Sequence, residues 1–220
     1  MFTFDPDRVA ALETVGWRAY YDRRWGLLLR QVVTMCQEQF HIPFPQSLVA
    51  AYHATRAAMA WAPVDHDLHA VETSYARFYR MARRYSGLSF DPEQVASLEL
   101  EYNVVHRDLV GQSDKSRFVD TMTRLHSTVF GISPEQARES AEQRVLANTI
   151  VDRITSGVSS DANADWRLIE TALRRCYRSI DRQLPRGLPI NTGRTYDFTT
   201  IWHVEAPIDV VWDAIYHSER

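Results

Sequence analysis

Lysine is almost missing from this chain. Lys115 stands alone among 25 basic residues, and all the others are arginine. Cysteine is scarce too: Cys36 and Cys176 lie far apart, with no Cys-x-x-Cys pair and no framework that a small disulfide-stapled fold would need. Buried free thiols in a reducing, cytoplasmic compartment are therefore expected. The first residues, MFTFDPDRVAALE, put charges where a secretory signal needs an apolar run. No apolar run approaches the length of a membrane-spanning helix. Strong basic bias is also missing: the formal net charge is −3, which argues against nucleic acid or an anionic membrane as partner. The adjacent pairs Arg23-Arg24, Arg83-Arg84 and Arg174-Arg175 read as solvated helix faces.

Cofactor and catalytic signatures are lacking as well. There is no Gly-x-Gly-x-x-Gly, no phosphate-loop lysine motif, no Gly-x-Ser-x-Gly and no His-Glu-x-x-His. Glu-x-x-His occurs once, at Glu38–His41, whereas a carboxylate-bridged di-iron bundle uses two copies. No cofactor follows from the sequence.

What is present supports a real core. Hydrophobic residues make up 45% of the chain and aromatics 11%, with six Trp and ten Tyr. Trp17, Tyr20, Tyr21 and Trp25 recur at helical spacing, as plain core or as the lining of an apolar pocket.

Punctuation divides residues 1–184 into seven or so amphipathic helices. Asp5-Pro6 opens a long first stretch that runs to Cys36, with a break near Gly16 or Gly26, and Pro43 and Pro45 close it. Stretches follow over Gln46–Ala62 and Asp65–Ser86, the latter stopped by Gly87. Asp91-Pro92-Glu93 starts a helix striped by Val95, Leu98, Tyr102 and Val105. Phe118, Met122, Leu125 and Val129 form the next stripe. Ser133 and Gln136 have the spacing of a capping box. Trp166, Ile169, Leu173, Tyr177 and Ile180 mark the last helix. This predicts a multi-helix bundle or array, a helical domain over 1–184, with 185–194 (Pro-Arg-Gly-Leu-Pro and its sequel) as a linker.

Two constellations could carry chemistry. Glu99 and His106 are seven residues apart on one helix face, and His126 falls on the following helix. If those helices pair, a carboxylate and two imidazoles converge as catalytic acid and base. On the stretch from Asp65, His69 and Glu72 share a face with Asp65 and are candidate metal ligands. The plain alternatives are a buried polar network for the first group, and an acidic first turn with exposed histidines for the second.

The last segment differs in kind. Tyr196, Phe198, Thr200, Trp202 and Val204 alternate as in a strand, Ala206-Pro207 follows, and Val210, Val211, Ala214 and Ile215 repeat as in a helix. Strand, Ala-Pro and a helix opening with Val-Trp resemble the N-terminal edge of a START-like domain of the SRPBCC superfamily, the polyketide cyclase and lipid-transfer group. The resemblance covers Thr195–Arg220 alone. It implies the first strand and helix of an α+β helix-grip domain, incomplete within these residues, and a protein that binds or processes an apolar small molecule. The family's ligand-contacting residues lie beyond this segment, so none transfers. A metal-dependent or acid/base helical enzyme of haem-oxygenase-like type, and a non-catalytic interaction module, remain as alternative expectations.

Overall fold

The computed structural model describes residues 2–185, and Phe2–Leu184 form one compact unit. Eight helices build it: α1 (Pro6–Tyr21), α2 (Trp25–Phe40), α3 (Gln46–Trp61), α4 (Leu68–Ser86), α5 (Pro92–Asp108), α6 (Ser116–Phe130), α7 (Pro134–Thr155) and α8 (Ala162–Gln183). Their starts follow the caps. The side chains of Asp5, Asp67, Asp91 and Asp161 each accept from backbone N–H groups of the first turn, which no intrahelical carbonyl can reach. Ser133 and Gln136 form the reciprocal capping box. Gly87 and Gly131 close α4 and α6 in the left-handed region, at φ 74° and 64°.

The break expected near Gly16 or Gly26 falls between them. Both glycines are helical, and the chain turns at Asp22–Arg24. Arg24 N–H donates to Ala19 O (2.8 Å) and Arg23 N–H to Tyr20 O (3.1 Å), with Arg23 at φ 56°. This is a Schellman closure with arginine where glycine is usual, so composition gives no warning of it.

Helices adjacent in sequence pack on each other from α1 through α8, and α8 packs back on α1 to close the cycle. Short connections make successive helices antiparallel. The C-terminal ends of α1, α3, α5 and α7 therefore gather at one end of the unit, and those of the even helices at the other. Arg18 Nη2 reaches Asn163 Oδ1 (3.0 Å) at the first end, and Arg178 binds Asp7 at the second, as the antiparallel α1/α8 pair requires. The core is made of apolar stripes that include Val9, Val71, Val95, Phe118, Met122, Ile169, Leu173 and Ile180. At the second end Phe2, Phe4, Phe130 and Tyr177 pack ring on ring, with centroids 5.6–6.4 Å apart.

The expected mixed class is corrected by this architecture. The described residues hold helices and no strand, so they are all-α, and they contain no part of a helix-grip sheet. Their apolar spacing is three and four throughout, never the alternation a sheet needs. Thr195–Arg220, which carried the START-like expectation, and all but the first residue of the 185–194 linker lie outside the described residues. Among the described residues no helix is long and apolar enough to cross a membrane.

Candidate functional site

A cavity of about 490 Å³ runs from the middle of the unit toward the end where the odd-numbered helices finish. Trp17, Tyr20, Tyr21, Trp61, Tyr75 and Tyr102 supply its aromatic wall. Tyr21 and Val110, both exposed, mark its mouth.

The inner part is built on a buried ion pair. Arg144 Nη1 on α7 donates to Glu13 Oε2 on α1 at 2.5 Å, and Tyr177 Oη on α8 donates to the same oxygen at 2.7 Å. The Arg144 guanidinium also lies over the Trp17 ring, 4.8 Å from its centroid. Desolvation opposes charge on Arg144, but the Glu13 carboxylate and the nearby Tyr177 and Tyr102 outweigh it and hold the guanidinium firmly protonated. Among the described residues Arg144 Nε has no partner, and neither has the Thr55 hydroxyl; both residues line the cavity.

Glu99 lies on the α5 wall. Tyr79 Oη donates to its Oε2 at 2.9 Å. Burial raises the Glu99 carboxyl above the usual carboxylate range, and the Tyr79 bond and Arg144 charge only partly offset it. A protonated Glu99 can donate a hydrogen bond into the cavity. The tyrosine hydroxyls are fixed by amides: Asn103 donates to Tyr75 Oη, and Tyr102 Oη donates to Asn148 Oδ1, each at 2.9 Å. Burial pushes the Tyr102 phenol up to about 12, so it stays neutral.

One turn before the mouth, His106 Nε2 donates to Asp152 Oδ1 on α7 at 2.9 Å. The carboxylate can only accept, which fixes that tautomer and leaves Nδ1 as the acceptor of a neutral ring. Phe118 backs the imidazole at 5.1 Å with planes 10° apart. At the mouth, Arg107 lies 4.0 Å over the Trp61 ring. Its Nη2 donates to Trp61 O (2.9 Å) and its Nη1 to Pro63 O (3.3 Å), and Nη1 lies 3.0 Å from His66 Nδ1, itself 3.1 Å from Pro63 O.

Of the three expected catalytic residues, Glu99 and His106 share this cavity and His126 does not. His126 is buried on α6, where its Nδ1 meets Ser140 Oγ of α7 at 2.7 Å. Burial, with the Arg144 charge adding to it, pushes its imidazole down to about 3. The three side chains thus have three separate partners. His69 and Glu72 stand on the first turns of α4, outside the cavity lining, and His69 is exposed. The helix begins at Leu68, so Asp65 and His66 belong to the preceding turn and do not follow the helical spacing that joined them to His69 and Glu72. Among the described residues no three His, Cys, Asp or Glu side chains come together to hold a metal ion. Glu13, Arg144 and Arg107 were not singled out from sequence as site residues. Glu13 and Arg144 are far apart along the chain, and no local pattern links them. The aromatic reading fared better: Trp17, Tyr20 and Tyr21 line the cavity, while Trp25 is outside it and 46% exposed.

No protein-family model, no curated protein and no solved structure matches this chain.

Proposed function

We propose that the helical unit binds a small, largely apolar molecule in this cavity. The observation that carries the reading is the cavity itself. Its volume of about 490 Å³ falls within the range of ligand sites. Its wall combines aromatic faces with a few polar groups already held in place by partners, the composition that binds an apolar body and orients one polar end.

Fluorescence titration with the neutral probe N-phenyl-1-naphthylamine tests it. Saturable binding with one site per chain is expected. Ala58→Trp, which fills the cavity from α3, should abolish that binding while leaving the circular dichroism unchanged. Non-saturable binding, or equal binding by the filled variant, would overturn the reading.

A further inference from the structure

We propose that the ligand is an organic acid, its apolar or aromatic body inside the cavity and its carboxylate met by Arg107 at the mouth. This rests on the cavity reading above and adds to it the chemical class of the ligand.

Arg107 is unusual among the arginines that line the cavity. Arg144 has its own carboxylate in Glu13. Among the described residues Arg107 has none: its contacts are two backbone carbonyls and the His66 imidazole. His66 Nδ1 lies 3.0 Å from Nη1 and 3.1 Å from Pro63 O, and in either tautomer the ring brings no negative charge. The two carbonyl bonds and the His66 contact engage Nη1 and one Nη2–H, and leave Nε–H and the other Nη2–H for a ligand. Stacking on Trp61 holds the guanidinium plane, so little freedom is lost when an anion docks.

None of the nearby acids pairs with Arg107 among the described residues. Asp152 accepts from His106 through Oδ1 while its buried Oδ2 has no partner, and Asp108 pairs with Arg117. Asp67 caps α4, and Asp65, in the same turn, makes no bond to Arg107. On the α1–α2 turn Asp22 faces Arg18, while Arg23 and Arg24 have no acid partner among the described residues. A carboxylate arriving at the mouth therefore meets an exposed guanidinium without a carboxylate partner among the described residues, which favours the anion over a neutral isostere through charge-assisted, bidentate bonds.

The inner end sets the rest of the ligand. Glu13 and Arg144 neutralise each other, so no second charge is required there. Glu99 offers a polar contact at that depth, eight residues before Arg107 on the same helix, or about 12 Å along the axis at 1.5 Å per residue. The geometry thus suits a monoacid about 12 Å long, with a neutral polar group or plain hydrocarbon at its far end.

Calorimetric titration of the full chain should compare biphenyl-4-carboxylate with biphenyl-4-carboxamide, and decanoate with decanamide. In each pair the acid is expected to bind at least tenfold more tightly, and added salt should weaken only the acid. Arg107→Gln should erase the preference for acid over amide, and Arg107→Lys should keep part of it. Should the Arg107 variants fold poorly, the acid–amide comparison in the unaltered protein decides. Equal affinity for acid and amide, or tighter binding of the amide, would overturn the assignment while saturable binding of the neutral probe keeps the cavity reading alive. Failure of acids, amides and neutral probe alike would overturn both.

Discussion

The two ends of the helical unit are closed by opposite means. Where the even helices finish, Phe2, Phe4, Phe130 and Tyr177 interlock, and Phe40, Phe78, Tyr79 and Phe90 form a neighbouring set. Phenylalanine has no polar atom to satisfy, so it can fill space completely. Where the odd helices finish, Trp and Tyr predominate beside the buried Phe118, and space is left between them. Each of Trp17, Trp25, Trp61 and Trp166 lies on the half of its helix nearer that end. Tryptophan and tyrosine carry an apolar body and a polar edge, which suits a surface meant to be apolar and hydrogen-bonded at once. One end is thus packed with rings and the other left open, and the buried Glu13–Arg144 pair stands between them.

The strongest challenge to that division is to remove one member of the pair. Glu13→Gln or Arg144→Met should cost about 3–5 kcal/mol, because the remaining charge is stranded in a buried place. Replacing both, as Glu13→Leu with Arg144→Met, should cost clearly less than the two single losses added together. Urea unfolding of the three variants checks this; simple additivity would mean that the pair does not act as a unit.

Next in size is the contrast between the ends themselves. Phe130→Ala at the closed end should lose about 3 kcal/mol, the usual cost of emptying a buried phenylalanine site. Trp61→Ala at the mouth should lose about 1 kcal/mol or less but should impair ligand binding. Equal losses of stability would erase the distinction between a packed end and a binding end.

His126 adds a pH dependence from the packed side. Its folded-state pKa is depressed to about 3. As pH falls below about 6.5, the unfolded chain takes up a proton there that the folded chain refuses. Stability contributed by the neutral ring is therefore lost from about 6.5 toward about 3, by at most about 1.4 kcal/mol per pH unit. His126→Gln should flatten that part of the stability curve, measured between pH 6.5 and 5, where paired carboxylates such as Asp7 and Asp165, held low by Arg178 and Arg153, remain ionised.

The smallest effect comes from the cavity wall. The Glu99 pKa is raised, so the folded chain binds that proton more readily than the unfolded one, and ionisation at higher pH is destabilising. Glu99→Gln should raise the melting temperature relative to the original protein more at pH 8 than at pH 4.5, by a few degrees or so. An equal shift at both values would show that the carboxyl titrates normally. The slopes of His126 and Glu99 have opposite signs, so each is best read as a difference between variant and parent.

Local grammar was readable in the sequence. The caps at Asp5, Asp91 and Ser133 and the stop at Gly87 act within a few residues, and each is found where its pattern stands. The stretch from Asp65 shows the limit. Asp65 and Asp67 are equally plausible caps by type, and the helix capped at Asp67 leaves Asp65 off the face that His69 and Glu72 occupy. The closure at Arg23 was hidden because its residue type is atypical. Glu99 and His106 reached the same cavity because one helix carries both at fixed spacing. His126 was placed by assuming which face of α6 meets α5, and helix rotation is decided by packing across the unit, which a local pattern does not encode. Glu13 and Arg144 are the extreme case, since only the closure of α8 and α7 around α1 brings them together.

That closure also loosens the link between chain order and shape. With α8 antiparallel to α1 and Arg178 bound to Asp7, the start of α1 and the end of α8 are neighbours. A short bridge between them, with a new opening cut in the α6–α7 connection, would give a circular permutant with every helix contact retained. In such a cycle no helix is first by virtue of its packing.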